Sequence, residues 1–246
     1  MKRFIVFSLA GVLTTSPLQA YEAGKFYYQG NTKEKVIALT FDDGPGTYTP
    51  QILDYLKAHH ARATFFIEGD QVAAHPDYVR RIRDDGHEIG NHTYSHFNFH
   101  FVKDHPHDVF IKEFDKTDEA IQKALNDPAF KTKVLRMPNG AYGKFNRAWL
   151  IPDLKKRGVA LVHWSFGEDW LKKRPGKDAA GKKIDVRLTS DVIAADYIRN
   201  AQPGAVFLMH DGGRHREKTF EALQVIVPAL EKQGYRFVAA EDLFKN

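Results

Sequence analysis

The sequence predicts a single-domain α/β fold: parallel strands joined by crossover helices, in a sheet that is open or closed into a barrel. Three observations carry this expectation. Segments of strand and helix character alternate about seven times. No internal repeat or linker divides the 246 residues. Hydrophobic residues make up 43% and charged residues 27%, the balance of a globular chain long enough to bury a core. That composition excludes a collagen-like, disordered or multi-span membrane protein.

The elements follow in order. Residues 36–41 (VIALTF), apolar apart from Thr40, read as a buried strand. Residues 49–58 set Ile52, Leu53 and Leu56 at helical spacing, and 63–67 (ATFFI) form a second strand. Pro76 and Asp77 open a helix that runs through Ile82 and stops at Gly86. A short strand at 88–91 precedes an amphipathic helix at 108–125, which carries Val109, Phe110, Phe114, Ile121 and Leu125. Then come a strand at 134–136 and a helix at 146–156 that Pro152 is placed to split. A strand at 159–164, a helix at 191–200, a strand at 205–209, a helix at 216–232 ended by Gly234, and a strand at 235–238 complete the set. Residues 172–187 (KKRPGKDAAGKKIDVR) stand apart, with seven Lys or Arg against two Asp. They read as a surface insertion, either a solvated loop or a contact surface for an anionic glycan or cell-wall polymer.

Residues 1–20 (MKRFIVFSLAGVLTTSPLQA) have two cations, an apolar stretch from Phe4 to Leu13 and a small-residue end at Ala20, the layout of a secretory leader. The apolar run is short for a membrane span. The expectation is a leader over 1–20 and a mature domain over 21–246, secreted or periplasmic, with no stable membrane insertion after cleavage. The formal charge is +5, of which Lys2 and Arg3 supply two, too little to imply nucleic acid. The chain has no cysteine, which removes disulfides, thiolate zinc sites and a cysteine nucleophile.

The polar residues fall in a pattern. Asp42 and Asp43 follow the first strand, His92 and His96 the third, Arg136 the next, Asp169 and Trp170 the one after, and His210 with Asp211 the strand at 205–209. All lie at carboxyl ends of expected strands, the edge where α/β folds bind ligands. His92 and His96 are four apart, so on one helical turn both imidazoles would share a face. Two imidazoles and a carboxylate can fill three positions of a divalent metal site, zinc by default, with iron, cobalt, nickel or manganese also compatible. Such a histidine pair is weak evidence alone, and the neighbouring acids strengthen it. Asp42-Asp43-Gly44-Pro45 reads either as a turn or as a site in which one Asp holds metal and the other acts as general base.

These residues resemble the polysaccharide deacetylase family (NodB homology domain, carbohydrate esterase family 4) over about residues 35–240. Thr40-Phe41-Asp42-Asp43-Gly44-Pro45 matches the family's first motif, and Asn91-His92-Thr93-Tyr94-Ser95-His96 its second. Arg136-Met137-Pro138-Asn139-Gly140, Asp169-Trp170 and Leu208-Met209-His210-Asp211 resemble the third, fourth and fifth. The resemblance implies a distorted (β/α) barrel of about seven parallel strands and a metal-dependent hydrolase that removes acetyl groups from sugars. It implies that Asp43, His92 and His96 hold the metal and that Asp42 is the general base, oriented by Arg136. It also implies that His210 is the general acid, tuned by Asp169. Trp170 and Leu208 would line the acetyl pocket, and a backbone N–H near Asn139 would stabilise the oxyanion. Asn139 replaces an aromatic, Phe97 replaces a proline, and Gly167 or Glu168 stands where the family carries another Asp.

The expected activity is N-deacetylation of N-acetylglucosamine units in peptidoglycan, a chitin-type oligomer or an exopolysaccharide. The alternatives are an O-deacetylase of the acetylxylan-esterase kind and a non-catalytic glycan-binding relative. The remaining histidines are not assigned chemistry: His100, His105 and His107 read as a solvated loop, and His59, His60, His75, His87, His163 and His215 as surface or capping residues. Phe97, Phe99 and Phe101 alternate as a half-buried strand would, and they, Tyr142 and Trp164 read as core.

Overall fold

The structure, a computed structural model, describes residues 21–101, 106–178, 180–214 and 216–245, with the backbone alone at 144–146. The leader expected over 1–20, and His105 and His215, lie outside the described residues. In chain order the elements are β1 (Phe26–Tyr27), β2 (Val36–Gly44), α1 (Thr49–Ala58), β3 (Thr64–Ile67), α2 (Pro76–Asp84), β4 (Glu88–Asn91), α3 (Pro106–Leu125), β5 (Val134–Leu135), α4 (Lys144–Arg157), β6 (Ala160–Val162), β7 (Lys173–Lys177), β8 (Lys183–Arg187), α5 (Ser190–Arg199), β9 (Val206–His210), α6 (Glu217–Lys232), β10 (Arg236–Val238) and α7 (Ala240–Leu243). Short 3₁₀ turns follow β3 and β5.

The main sheet is parallel throughout and runs β1–β6–β5–β4–β3–β2. The first residues of β2 pair with β10, and Ala38 to Asp42 pair with β9, Asp42 facing His210 in register. Between β6 and β9 the ladder shrinks to one parallel bridge, Phe166 with Phe207. The expected α/β barrel is therefore present with one seam open.

Strand alternation divides the core. Ile37, Leu39 and Phe41 of β2 and Phe65 and Ile67 of β3 point outward, under α1, α2 and α6. Val36, Ala38, Phe66, Val134, Ala160, Val162 and Val206 point inward and fill the lower barrel with Tyr21, Tyr27, Leu243 and Phe244. Gly90 leaves that interior space to the Phe66 ring, since a Cβ there would lie 2.6 Å from it. The same inward rows continue upward into Thr40 and Asp42 on β2 and Leu208 and His210 on β9. The interior is thus apolar below and polar at the carboxyl end of the strands.

Three expectations are corrected. Pro152 does not split α4, which continues to a left-handed stop at Gly158; a proline removes one N–H, and the helix packs Leu150 and Leu154 on both sides of it. The basic segment is not irregular but an antiparallel hairpin, β7 against β8, with Lys173 opposite Arg187. Residues 97–101 form no strand: Phe99 is buried while Phe97 and Phe101 are exposed, so only Phe99 is core. The pattern of strand ends showed neither β1 nor α7, which have too few residues for a period to register. Among the described residues no helix is long and apolar enough to cross a membrane.

Candidate active site

A cavity of about 300 Å³ opens at the carboxyl end of the sheet. Asp42, Asp43, His92, His96, Leu208 and His210 line it, with Asn139 and Trp170 at its walls. Arg136 and Asp169 sit directly behind Asp42 and His210. The structure therefore brings all ten residues singled out from the sequence to one place.

Asp42 and Asp43 are adjacent in sequence but diverge in space. A bulge shifts the β2–β3 register between Asp42 and Gly44, and Asp43 takes a left-handed conformation with φ of 67°. Asp42 stays on the inward row, where its Oδ1 accepts a 2.7 Å hydrogen bond from Arg136. The turn below is tight. A Cβ on Gly44 would lie 2.3 Å from the Asp211 carboxylate, and one on Gly212 would lie 1.7 Å from the Asp43 carbonyl. Asp211 is thus a support under this turn, anchored by the Thr49 hydroxyl. Burial, with Asp43 and Asp42 nearby, pushes its carboxyl up to about 7.

Arg136 serves two of its neighbours. Arg136 is 1% exposed; its guanidinium donates to Asp42, Thr40 and the carbonyls of Val162 and His163, and its Cζ lies 4.1 Å from the centroid of the Phe66 ring. Its carbonyl lies 2.7 Å from His92 Nδ1. A carbonyl only accepts, so Nδ1 carries the proton and Nε2 keeps its lone pair for the cavity.

His92 and His96 do not share a helical turn, as the spacing suggested. They occupy a loop in which Thr93 and His96 are left-handed, at φ of 65° and 52°. The Glu113 carboxylate of α3 fixes that loop by accepting from the Tyr94 N–H at 3.0 Å and from the Ser95 N–H at 2.8 Å. Asn91, held in turn by Asp118, accepts from the Thr93 N–H. The two rings end 5.2 Å apart.

One oxygen of Asp43 is buried and lacks a hydrogen-bond partner. It lies 3.5 Å from His92 Nε2 and 3.4 Å from His96 Nε2. Burial alone would raise the Asp43 carboxyl, but the nearby imidazoles of His92, His210 and His96 hold it well below the usual carboxylate range. His96 is pushed down by burial and by His92, which favours the neutral, lone-pair form. Two imidazole nitrogens and one carboxylate oxygen, all within 4.8 Å of one another, suit a divalent cation in their donor chemistry.

Across the cavity, His210 Nδ1 lies 2.8 Å from Asp169, whose other oxygen accepts from the His210 N–H and the Thr219 hydroxyl. Asp169 is fully buried. Burial lowers the His210 pKa, but Asp169 outweighs it and the net direction is up. Trp170 packs edge-on against His210, with ring centroids 5.5 Å apart. Trp164, read from sequence as core, lines the cavity instead. Sequence reasoning also missed Glu113, Arg216 and Thr219. Their types are ordinary on a helix surface, and only the packing of α3 and α6 shows what they touch.

Residues 29–151 match the family model described as polysaccharide deacetylase. A peptidoglycan-N-acetylglucosamine deacetylase of Bacillus cereus is 38% identical over 213 residues, covering 86% of this chain and 89% of that one. A chitooligosaccharide deacetylase of Rhizobium leguminosarum bv. trifolii is 35% identical, covering 88% and 95%. The crystal structure of a peptidoglycan N-acetylglucosamine deacetylase in complex with 4-naphthalen-1-yl-N-oxidanyl-benzamide has a TM-score of 0.75 and 31% identity, covering 91% of this chain and 94% of that chain.

Proposed function

The chain belongs to the polysaccharide deacetylase family, and on that premise we propose that it hydrolyses the N-acetyl groups of N-acetylglucosamine units in a cell-wall or extracellular polysaccharide. Asp43, His92 and His96 hold one divalent ion, zinc by donor type. When bound, that ion polarises the acetyl carbonyl and makes a nearby water more acidic. Asp42 is the general base: Arg136 occupies its Oδ1 and leaves Oδ2 for the proton of the attacking water. His210 Nε2 returns a proton to the leaving nitrogen, because an amide anion is a poor leaving group and Asp169 favours the imidazolium that can donate. Trp170 and Leu208 wall the space for the acetyl methyl, and Asn139 lines the same cavity, where its backbone N–H would be the donor to the developing oxyanion. The carrying observation is the His210–Asp169 pair set beside the Asp42–Arg136 pair, in register on neighbouring strands. The leader expected over residues 1–20 supports a mature enzyme that works outside the cytoplasm, where such polymers lie.

The test is acetate release by zinc-loaded protein from peptidoglycan, chitooligosaccharides, poly-β-1,6-linked N-acetylglucosamine and acetylated xylan. Acetate from an N-acetylated polymer is expected, with loss in Asp42→Asn. Release from acetylated xylan alone would overturn the amide reading, and release from none would overturn the hydrolase.

A further inference from the structure

A second hollow, of about 350 Å³, adjoins the first, and Lys172, Arg187, Arg214, Arg216 and Lys218 line it. None of the described lining residues is acidic. Trp170 and Arg216 line both hollows, so the two are neighbours across these side chains.

The fold builds this cluster from distant segments. The β7–β8 hairpin closes at its base through the Leu188 N–H to the Lys172 carbonyl, at 3.0 Å, which sets Lys172 beside Arg187. The loop after β9 supplies Arg214, and the entry of α6 supplies Arg216 and Lys218. The Lys218 ammonium donates to the Leu171 carbonyl at 2.6 Å, and Arg216 Nε donates to the Gly212 carbonyl at 2.5 Å. These two anchors are backbone oxygens that carry no net charge, and Arg216 also reaches Asp43 Oδ2 at 3.4 Å. Nearby acids are engaged elsewhere: Asp185 pairs with Lys173, and Asp196 and Glu168 pair with Arg174. Burial lowers the Lys218 pKa against the pull of Asp169 and Glu217, and Arg216 and Lys172 lower it further. The cations are therefore close enough to repel one another, and an anion between them relieves that repulsion.

We propose that this hollow is a subsite for a carboxylate carried on the sugar chain beside the acetamide undergoing hydrolysis, so that the enzyme prefers an anionic glycan over a neutral one. The guanidinium forks of Arg187 and Arg214 suit a planar carboxylate, and the Trp170 indole offers an apolar face for the sugar between the two hollows. This inference rests on the deacetylase reading for the neighbouring acetamide. A lactyl ether and a uronic acid present the same carboxylate, and the experiment separates them.

Binding is measured by calorimetry on Asp42→Asn protein, which keeps the hollow but does not turn over. The probes are oligosaccharides alternating N-acetylglucosamine with N-acetylmuramic acid, the same chains with the carboxyl reduced to an alcohol, oligomers alternating N-acetylglucosamine with glucuronic acid, and chitooligosaccharides of equal length. At least one carboxylate series is expected to bind about 10-fold or more tightly than its neutral counterparts at low salt, with the gap narrowing in about 0.5 M salt. The series that shows the gap identifies the carboxylate's source. Lys172→Ala with Arg187→Ala should bring the gap to within about twofold, and Lys172→Arg with Arg187 kept should preserve most of it. Both positions are exposed on the hairpin, and an unchanged melting temperature checks the fold. Equal affinity for carboxylate and reduced chains, or a gap that survives the double alanine variant, overturns the subsite. Absence of acetate release by the wild-type enzyme strikes the deacetylase reading alone, because the binding comparison needs no turnover.

Discussion

Replacing Asp169 with Asn tests the acid half of the site. Asp169 lies 2.8 Å from His210 Nδ1 in a fully buried position. A carboxylate at that range raises an imidazole pKa by about 1–3 pH units, or about 1.5–4 kcal/mol in favour of the protonated form. The raised His210 pKa means that the donating form persists to higher pH. Asparagine keeps the shape, and its oxygen can still accept from the His210 N–H and the Thr219 hydroxyl, but the charge is gone. The alkaline limb of the kcat profile should therefore move down by about 1–3 pH units. Well above both pKa values the variant should run about 10–1000-fold slower than wild type, and the ratio should shrink as pH falls through the new pKa. The assay is acetate release from a chitooligosaccharide between pH 5 and 10, with melting temperature and bound metal measured in parallel. A uniform loss of rate with the alkaline limb unmoved would refute the argument, because Asp169 would then hold geometry without tuning the acid.

Other perturbations address the remaining parts. Asp42→Asn should lower kcat by about 10²–10⁴-fold while leaving one metal ion per chain by elemental analysis. Glu113→Ala should free the Tyr94 and Ser95 N–H groups and weaken zinc affinity about 10–100-fold in chelator competition, with Glu113→Gln between it and wild type. Exhaustive chelation should abolish acetate release, and stoichiometric divalent metal should restore it. Glu88 is buried at the base of the barrel against Tyr21 and Thr64, and burial pushes its carboxyl from 4.5 to about 7. Its contribution to stability is thus fully present below about pH 4.5 and is lost as pH rises through about 7, up to about 3 kcal/mol. Glu88→Gln should flatten the difference in urea midpoint between pH 5 and pH 8, and an unflattened difference would remove Glu88 as its source.

Strand direction and strand ends can be read from a sequence, and the five polar clusters were legible for that reason. Buried parallel strands such as VIALTF are near-continuous apolar runs, so the residue at which polarity begins marks the carboxyl end. The way the side chains converge was less legible. Four-residue spacing pointed to a helical turn at His92 and His96, whereas the loop reaches the same convergence through two left-handed residues and the Glu113 carboxylate. Local spacing carries no record of a hydrogen bond made by a residue on another element. The hairpin at 172–187 escaped notice for a different reason: with both faces largely exposed, its strands show no alternation of polarity to detect. Trp164 was read as core because an indole following an apolar strand resembles packing, and only its inward row places it at the cavity.

The site divides into a rigid part and a strained part, and the division matches the work each does. Asp42 and His210 are register partners on adjacent strands of the ladder, so their separation is set near the inter-strand spacing of about 4.8 Å. Their proposed roles, exchanging protons with one substrate, need such a fixed distance, since a shift of about 1 Å is costly in rate. The candidate metal ligands are held differently. Asp43, Thr93 and His96 all adopt left-handed conformations that cost free energy for residues with a Cβ. Three donors cannot approach one point from neighbouring ladder positions, because side chains on a strand leave it in parallel rows. The chain has to depart from regular structure to aim them together, and it does so where Glu113, Asn91 and the Asp211 support can hold the departure. Arg136 joins the two parts, with its carbonyl orienting His92 and its guanidinium orienting Asp42. Displacing Arg136 would therefore move the candidate metal ligand His92 and the proposed base Asp42 together, so its fully buried guanidinium with four acceptors serves the proposed chemistry as well as the core.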